Sequence, residues 1–267
     1  MTQDPRQFVP PTGQAWTSLA QMRGEYENKY QKVGDHDGEE QMWSIWTEPK
    51  FGIGQRCVFV QTDHGNVVWD CITYLDEETV NFIKQEGGLK AIVISHPHYY
   101  TTHLEWAQAF DCPVYLASDD KEWISREDHQ SRRKFIEGTS QQIIPAVTAI
   151  KVGGHFPGSL VLLWNKKLLI ADSIVTTPSA LYHVDRLPGT TSYAFMWAIP
   201  NMIPLPPAEL HKMWQAIRPH QFHSTHGAFV GQDVRDEKVK DRVFESMKIQ
   251  TRAMGWEKHA LLEERLL

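Results

Sequence analysis

The chain has 267 residues, 41% of them hydrophobic and 22% charged, which suits a globular protein with a sizeable core. Its net charge of −6, from 33 acids against 27 bases, argues against nucleic-acid binding, and there is no Lys/Arg-rich module. No run approaches the ~18 apolar residues of a membrane span. The N-terminus lacks the apolar segment of a secretory signal, and Cys57, Cys71 and Cys112 are scattered with no C-x-x-C pair, so a cytoplasmic protein with reduced core cysteines is expected.

Residues 1–40 are polar and broken by Pro and Gly, and read as an N-terminal arm. Within it, "GDHDGEEQ" (Gly34–Gln41) reads as a solvated loop. Residues 41–267 read as one domain. "CVFVQTDHGNVVWD" gives two short strands joined by a turn at His64-Gly65-Asn66. "LDEETVNFIKQEGG" is a helix, with Asp76 as N-cap, acids in the first turn and Gly87-Gly88 as the stop. "KAIVIS" is a buried strand, "HLEWAQAF" a helix and "CPVYLAS" the next strand, so the first half is α/β.

Two further stretches, "QQIIPAVTAIKVGGH" and "GSLVLLWNKKLLIADS", read as short strands with turns between them. "PPAELHKMWQAI" is a helix with Leu210, Met213, Trp214 and Ile217 in one apolar stripe. "HQFHST" is a short strand. A last helix over "DVRDEKVKDRVFESMKI" carries Val239, Val243 and Met247 on one face.

The chemistry concentrates at strand ends. His96 and His98, in "SHPHYYTTH", follow a strand and stand two apart, so in extended backbone both imidazoles point one way and can reach one ion. A catalytic zinc needs three protein ligands and an open position. His155 in "GGHFPGS" is the third ligand expected. Asp172 in "LLIADS" and His226 in "HSTHGAF" also sit where strands stop and loops begin.

In this order, "HPH", "GGHFPGS", "LLIADS" and "HSTHGAF" resemble the metallo-β-lactamase superfamily over most of the chain, from about Cys57 to beyond Gly227. The resemblance implies an α/β fold, a single-domain αββα sandwich with the site at one edge of its two sheets. It also implies that His96, His98 and His155 bind a first metal, that Asp172 bridges, and that His226 serves a second metal. The family's His-x-His-x-Asp-His is broken here, because Tyr100 and Thr101 fall where its Asp and the neighbouring last His stand. The second site is thereby weakened. His103, three residues after Tyr100, is either a substitute ligand pointing back at the site or a first-turn surface residue.

One three-His site suffices for hydrolysis. The expected reaction is opening of an ester, lactone, thioester or amide carbonyl by a metal-activated water, with zinc as cofactor. Asp172 is then a fourth ligand or a proton acceptor, and Tyr100 an oxyanion donor, the alternative being that both tyrosines fill space. The apolar stretch Leu181–Pro207 reads as a wall or lid, so Tyr99, Phe195 and Trp197 are expected to line a pocket for a small molecule. Two other outcomes stay open. One is a mononuclear iron dioxygenase held by His98, His155 and Asp172. The other is a non-catalytic binding protein that kept the fold.

Overall fold

The computed structural model describes residues 12–13, 15–34, 41–182 and 185–266. Most of the loop expected at Gly34–Gln41, residues 35–40, lies outside them. Seven strands form a first sheet in sequence order: β1 (Glu27–Lys32), β2 (Met42–Glu48), β3 (Arg56–Val60), β4 (Val67–Trp69), β5 (Ala91–Val93), β6 (Val114–Ala117) and β7 (Arg133–Ile136). A second sheet contains β8 (Ser140–Ile144), β9 (Val147–Lys151), β10 (Leu160–Trp164) and β11 (Lys167–Leu169). It is completed by β16 (Ser224–His226) and β17 (Asp233–Arg235), in the order β17-β16-β11-β10-β9-β8. Between β11 and β16 lie two small ribbons. One pairs β12 (Val175–Thr176) with β13 (Tyr193–Ala194), the other β14 (Met196–Ala198) with β15 (Ile203–Pro204).

Side-chain alternation sorts the apolar residues into three cores. Cys57, Phe59, Val68 and Ile92 face outward from the first sheet. They pack against α2 (Glu77–Gln85) and α3 (His103–Phe110) through Ile83, Trp106 and Phe110. Their neighbours Val58, Val60, Val67, Trp69, Ala91 and Val93 face inward and meet Ala149, Leu160, Leu162 and Leu169 of the second sheet. Ile150, Val161 and Leu168 face outward on the other side. There they meet α4 (Pro207–Ile217) and α5 (Val239–Ala253) through the two apolar stripes read from the sequence. The layers are therefore αββα, as expected. Central strands covered on both faces need apolar residues at every position, which is why they appear as unbroken runs.

Local signals account for the ends of these elements. Asp76 caps α2 by accepting from the Thr79 amide at 2.7 Å. Asn165 and Lys166 both take positive φ, which closes the tight turn between β10 and β11. The arm contributes more than expected: its residues 27–32 are β1, an edge strand with a mostly solvent-facing polar surface, and α1 (Leu19–Met22) precedes it. A short α6 (Ala260–Glu263) packs on α4 and α5 through the buried Leu261. Among the described residues, no helix is long and apolar enough to cross a membrane.

Candidate metal centre

Both sheets end at one edge, and the loops leaving them supply the site. His96 and His98 follow β5, His155 lies in the loop between β9 and β10, and Asp172 follows β11. The Leu160 amide donates to the Ser95 carbonyl at 2.8 Å, which ties the His-x-His loop to the second sheet. Four ligand atoms converge. Nδ1 of His98 stands 3.2 Å from Nε2 of His96 and 3.3 Å from Nε2 of His155. Oδ2 of Asp172 lies 3.5, 3.9 and 3.6 Å from the His96, His98 and His155 nitrogens. A tetrahedral zinc with ligand bonds near 2.0–2.1 Å has edges of about 3.4 Å. These spacings bracket that value, so the donors fit such an ion.

Their electrostatics fit it too. Burial lowers the pKa of His96, and lowers that of His155 to about 3, with the neighbouring His96 contributing. Both imidazoles are therefore neutral near pH 7, with lone pairs available for ligation. Burial alone would raise the Asp172 carboxyl, but the three imidazoles beside it hold it well below the usual carboxylate range. The His96 and His155 side chains are only 1% exposed, whereas His98 is 36% and Asp172 13% exposed. The group thus opens to solvent on its His98–Asp172 side.

A second layer orients the ligands. Ser95 Oγ lies 2.8 Å from Nδ1 of His96, and the Ser95 amide and hydroxyl both bond Asp70. Asp70 ends β4 in a positive-φ conformation and is fully enclosed. Burial pushes its carboxyl up to about 8 against the two Ser95 bonds, with the Asp172 charge adding to the rise. The Met196 backbone accepts from the His155 ring. Ser173 Oγ accepts from the His155 amide at 3.1 Å and donates to the Gly153 carbonyl at 2.6 Å. Asp70, Ser95 and Ser173 were not singled out in the sequence. The polar residue closing the apolar run "VVWD" is the signal that could have found Asp70.

Several expected site residues lie elsewhere. His226 is fully buried within β16 and outside the group of four. Its Nδ1 pairs with Asp233, its cross-strand partner, at 2.8 Å, and its Nε2 lies 3.0 Å from Ser224 Oγ. Asp233 in turn takes two bonds, 2.7 and 3.1 Å, from the buried Arg56 guanidinium. His226 is therefore part of a closed ionic network.

His103 is neither a ligand nor a surface residue. It is buried, its Nδ1 meets the Tyr100 carbonyl, and its Nε2 accepts from Arg133 at 2.8 Å. Tyr100 turns into the core beside α3, where the charges acting on it are Asp120 and Arg133. Tyr99, not Tyr100, approaches the site: its ring meets His96 edge-on at 5.3 Å, and its buried hydroxyl feels Asp70 and Asp172. It is a core residue packed with Ile94 and Trp106. Phe195 is likewise fully buried against α5.

Trp197 does line a cleft of about 870 Å³ that His155 also borders. Phe156 also lines it and packs on the ligands. Its ring stacks on His96 at 5.6 Å and meets His98, His155 and Trp123 edge-on at 5.0, 5.2 and 5.4 Å.

Comparison with known proteins matches this architecture. No family model matches the chain. The DIM-1 metallo-β-lactamase, in a structure exposed to ceftazidime, aligns with a TM-score of 0.57 at 12% identity, covering 85% of this chain and 98% of its own. The metallo-β-lactamase FIM-1 from Pseudomonas aeruginosa, in its mono-zinc form, aligns with a TM-score of 0.55 at 10% identity, covering 84% and 96%. A flavoprotein from Thermotoga maritima shares the fold with a TM-score of 0.54 at 8% identity, covering 84% of this chain and 61% of that one. In sequence, the uncharacterized protein YmaE of Bacillus subtilis (strain 168) is 38% identical over 242 residues, which are 89% of this chain and 84% of YmaE. The chain has the metallo-β-lactamase fold and belongs to the same family as YmaE.

Proposed function

We propose that the protein is a metal-dependent hydrolase with one metal site held by His96, His98 and His155, with Asp172 beside the position left for water. The observation that carries this reading is the convergence of three imidazoles, with the Asp172 carboxylate beside them on the solvent-open side. When bound there, zinc would lower the pKa of a coordinated water and polarise a carbonyl. The chain's own residues do the rest. Ser95 and the Met196 carbonyl fix the ring orientations of His96 and His155. For Nε2 of His96 to offer its lone pair, Nδ1 carries the proton and donates to Ser95 Oγ. Asp172, ionised and on the exposed side, accepts a hydrogen bond from water arriving there and orients it. Phe156 excludes water from the buried side of the imidazoles.

Substrates are small molecules with an ester, lactone, thioester or amide carbonyl. An iron-oxygenase set of two His and one carboxylate gains no support from the geometry, because His96 stands as near Asp172 as His155 does. Elemental analysis with a hydrolysis screen tests the proposal. One zinc per chain and turnover of at least one carbonyl class are expected. Bound zinc without any turnover would leave a non-catalytic protein, and tightly bound iron would point to oxygen chemistry.

A further inference from the structure

The three ligand imidazoles stand in a nearly equilateral triangle, with ring centres 5.0, 5.0 and 5.1 Å apart. Rings radiating from a tetrahedral ion with bonds near 2.0–2.1 Å have centres about 5.2 Å apart, whereas an octahedral ion at the same bond length draws them to about 4.6 Å. The packing of the chain therefore splays these rings close to the tetrahedral spacing.

Phe156 occupies the middle of that triangle. Its ring centre lies 5.6, 5.0 and 5.2 Å from those of His96, His98 and His155. A ring almost equidistant from three mutually equidistant rings lies on the axis through their centre. Oδ2 of Asp172, at 3.5, 3.9 and 3.6 Å from the three nitrogens, lies near the same axis. The two side chains cannot share one side of the triangle. Phe156 is 3% exposed and the Asp172 side chain 13%, so Phe156 fills the buried side and Asp172 faces the open one.

The Phe156 ring is itself held in place. Its amide donates to Ser159 Oγ at 2.9 Å, and its carbonyl accepts from the Ser159 amide at 3.2 Å, closing a tight turn. Trp123 meets the ring edge-on at 5.4 Å. For the imidazoles to lean together by the roughly half an ångström that octahedral spacing asks, this close-packed ring would have to move.

We infer that Phe156 is a positioning residue that sets the metal selectivity of the site: wedged behind the three imidazoles, it holds their nitrogens at a spacing that suits four-coordinate zinc and disfavours nickel(II), which prefers tetragonal or octahedral surroundings. The inference rests on the three-imidazole site of the reading above, but not on hydrolysis.

Competition titrations with zinc and nickel, and the visible spectrum of the cobalt(II)-loaded protein, test this in the parent, Phe156→Leu and Phe156→Ala. The ratio of zinc to nickel affinity should fall about three-fold in Phe156→Leu and about ten-fold in Phe156→Ala. The intense bands of four-coordinate cobalt in the parent should weaken in the same order. Should Phe156→Ala not fold, Phe156→Leu carries the test. Equal weakening of both metals, which a merely structural residue would give, or parent-like cobalt bands in the variants, would overturn the inference. A parent that binds no zinc would defeat this inference and the hydrolase reading together. A selective parent that turns over no carbonyl substrate would defeat the hydrolase reading alone.

Discussion

Ser95 Oγ stands 2.8 Å from Nδ1 of His96, and behind it lies the enclosed Asp70. This relay fixes which His96 nitrogen faces the other ligands. Outer-shell partners of this kind typically contribute 10–100-fold in metal affinity. Ser95→Ala should therefore weaken zinc binding by about that factor while leaving the far-UV circular dichroism spectrum unchanged. Competition titration against a zinc chelator measures it, and an unchanged affinity would remove the relay from the account.

Gly158 sits where a side chain has no room. A Cβ there would come within 2.5 Å of the Ala117 Cβ and 2.7 Å of Asp120 Oδ2. The Gly158 amide also donates to Asp120 Oδ1 at 2.9 Å, holding the loop that carries His155. Gly158→Ala should cost about 1–3 kcal/mol in stability and weaken metal binding together, by displacing that loop. Thermal denaturation with and without zinc reads both effects. A loss of stability with intact metal affinity would show that the loop absorbs the clash away from His155.

His226 offers a contrast, because its bonds go to Asp233 and Ser224. His226→Ala should lower stability by about 2–4 kcal/mol through the exposed gap in the Arg56–Asp233 network, yet leave zinc stoichiometry and affinity as in the parent. Loss of a bound metal equivalent in this variant would restore His226 as a ligand.

The ligand group was legible in the sequence for a physical reason. Strands of the central sheets are unbroken apolar runs, so a His or Asp at the end of such a run stands out, as His96, His155 and Asp172 do. His226 stands out in the same way, but its partners Asp233 and Arg56 converge only in the folded chain, Arg56 being 177 residues from Asp233. Asp70 and Ser95 resemble ordinary strand-end polar residues until their mutual bonds are seen. Residues 27–32 read as an arm because an edge strand keeps one polar face, and composition alone does not distinguish it from a loop. The face-to-face alternation of Cys57, Val58 and Phe59 was equally hidden, since all three are apolar.

His103 sets an acid limit. Burial lowers its pKa from 6.5 to about 4, with Arg133 contributing. The unfolded chain takes up a proton below about 6.5, while the native residue does so only near 4. Stability is therefore fully present above this window and falls as pH drops through it, by roughly 3 kcal/mol at most from this group. His103→Gln should flatten the fall in melting temperature between pH 6.5 and 4, whatever its offset at neutral pH. A parallel curve would assign the acid sensitivity to other groups.

The central claim is a single metal site of three imidazoles with Asp172 beside it, and zinc content per chain tests it most directly. Elemental analysis after zinc loading and desalting should give one equivalent for the parent protein. The double variant His96→Ala/His98→Ala should give essentially none, because one imidazole and one carboxylate hold an ion weakly. No retained zinc in the parent, or two equivalents that persist through desalting, would contradict it.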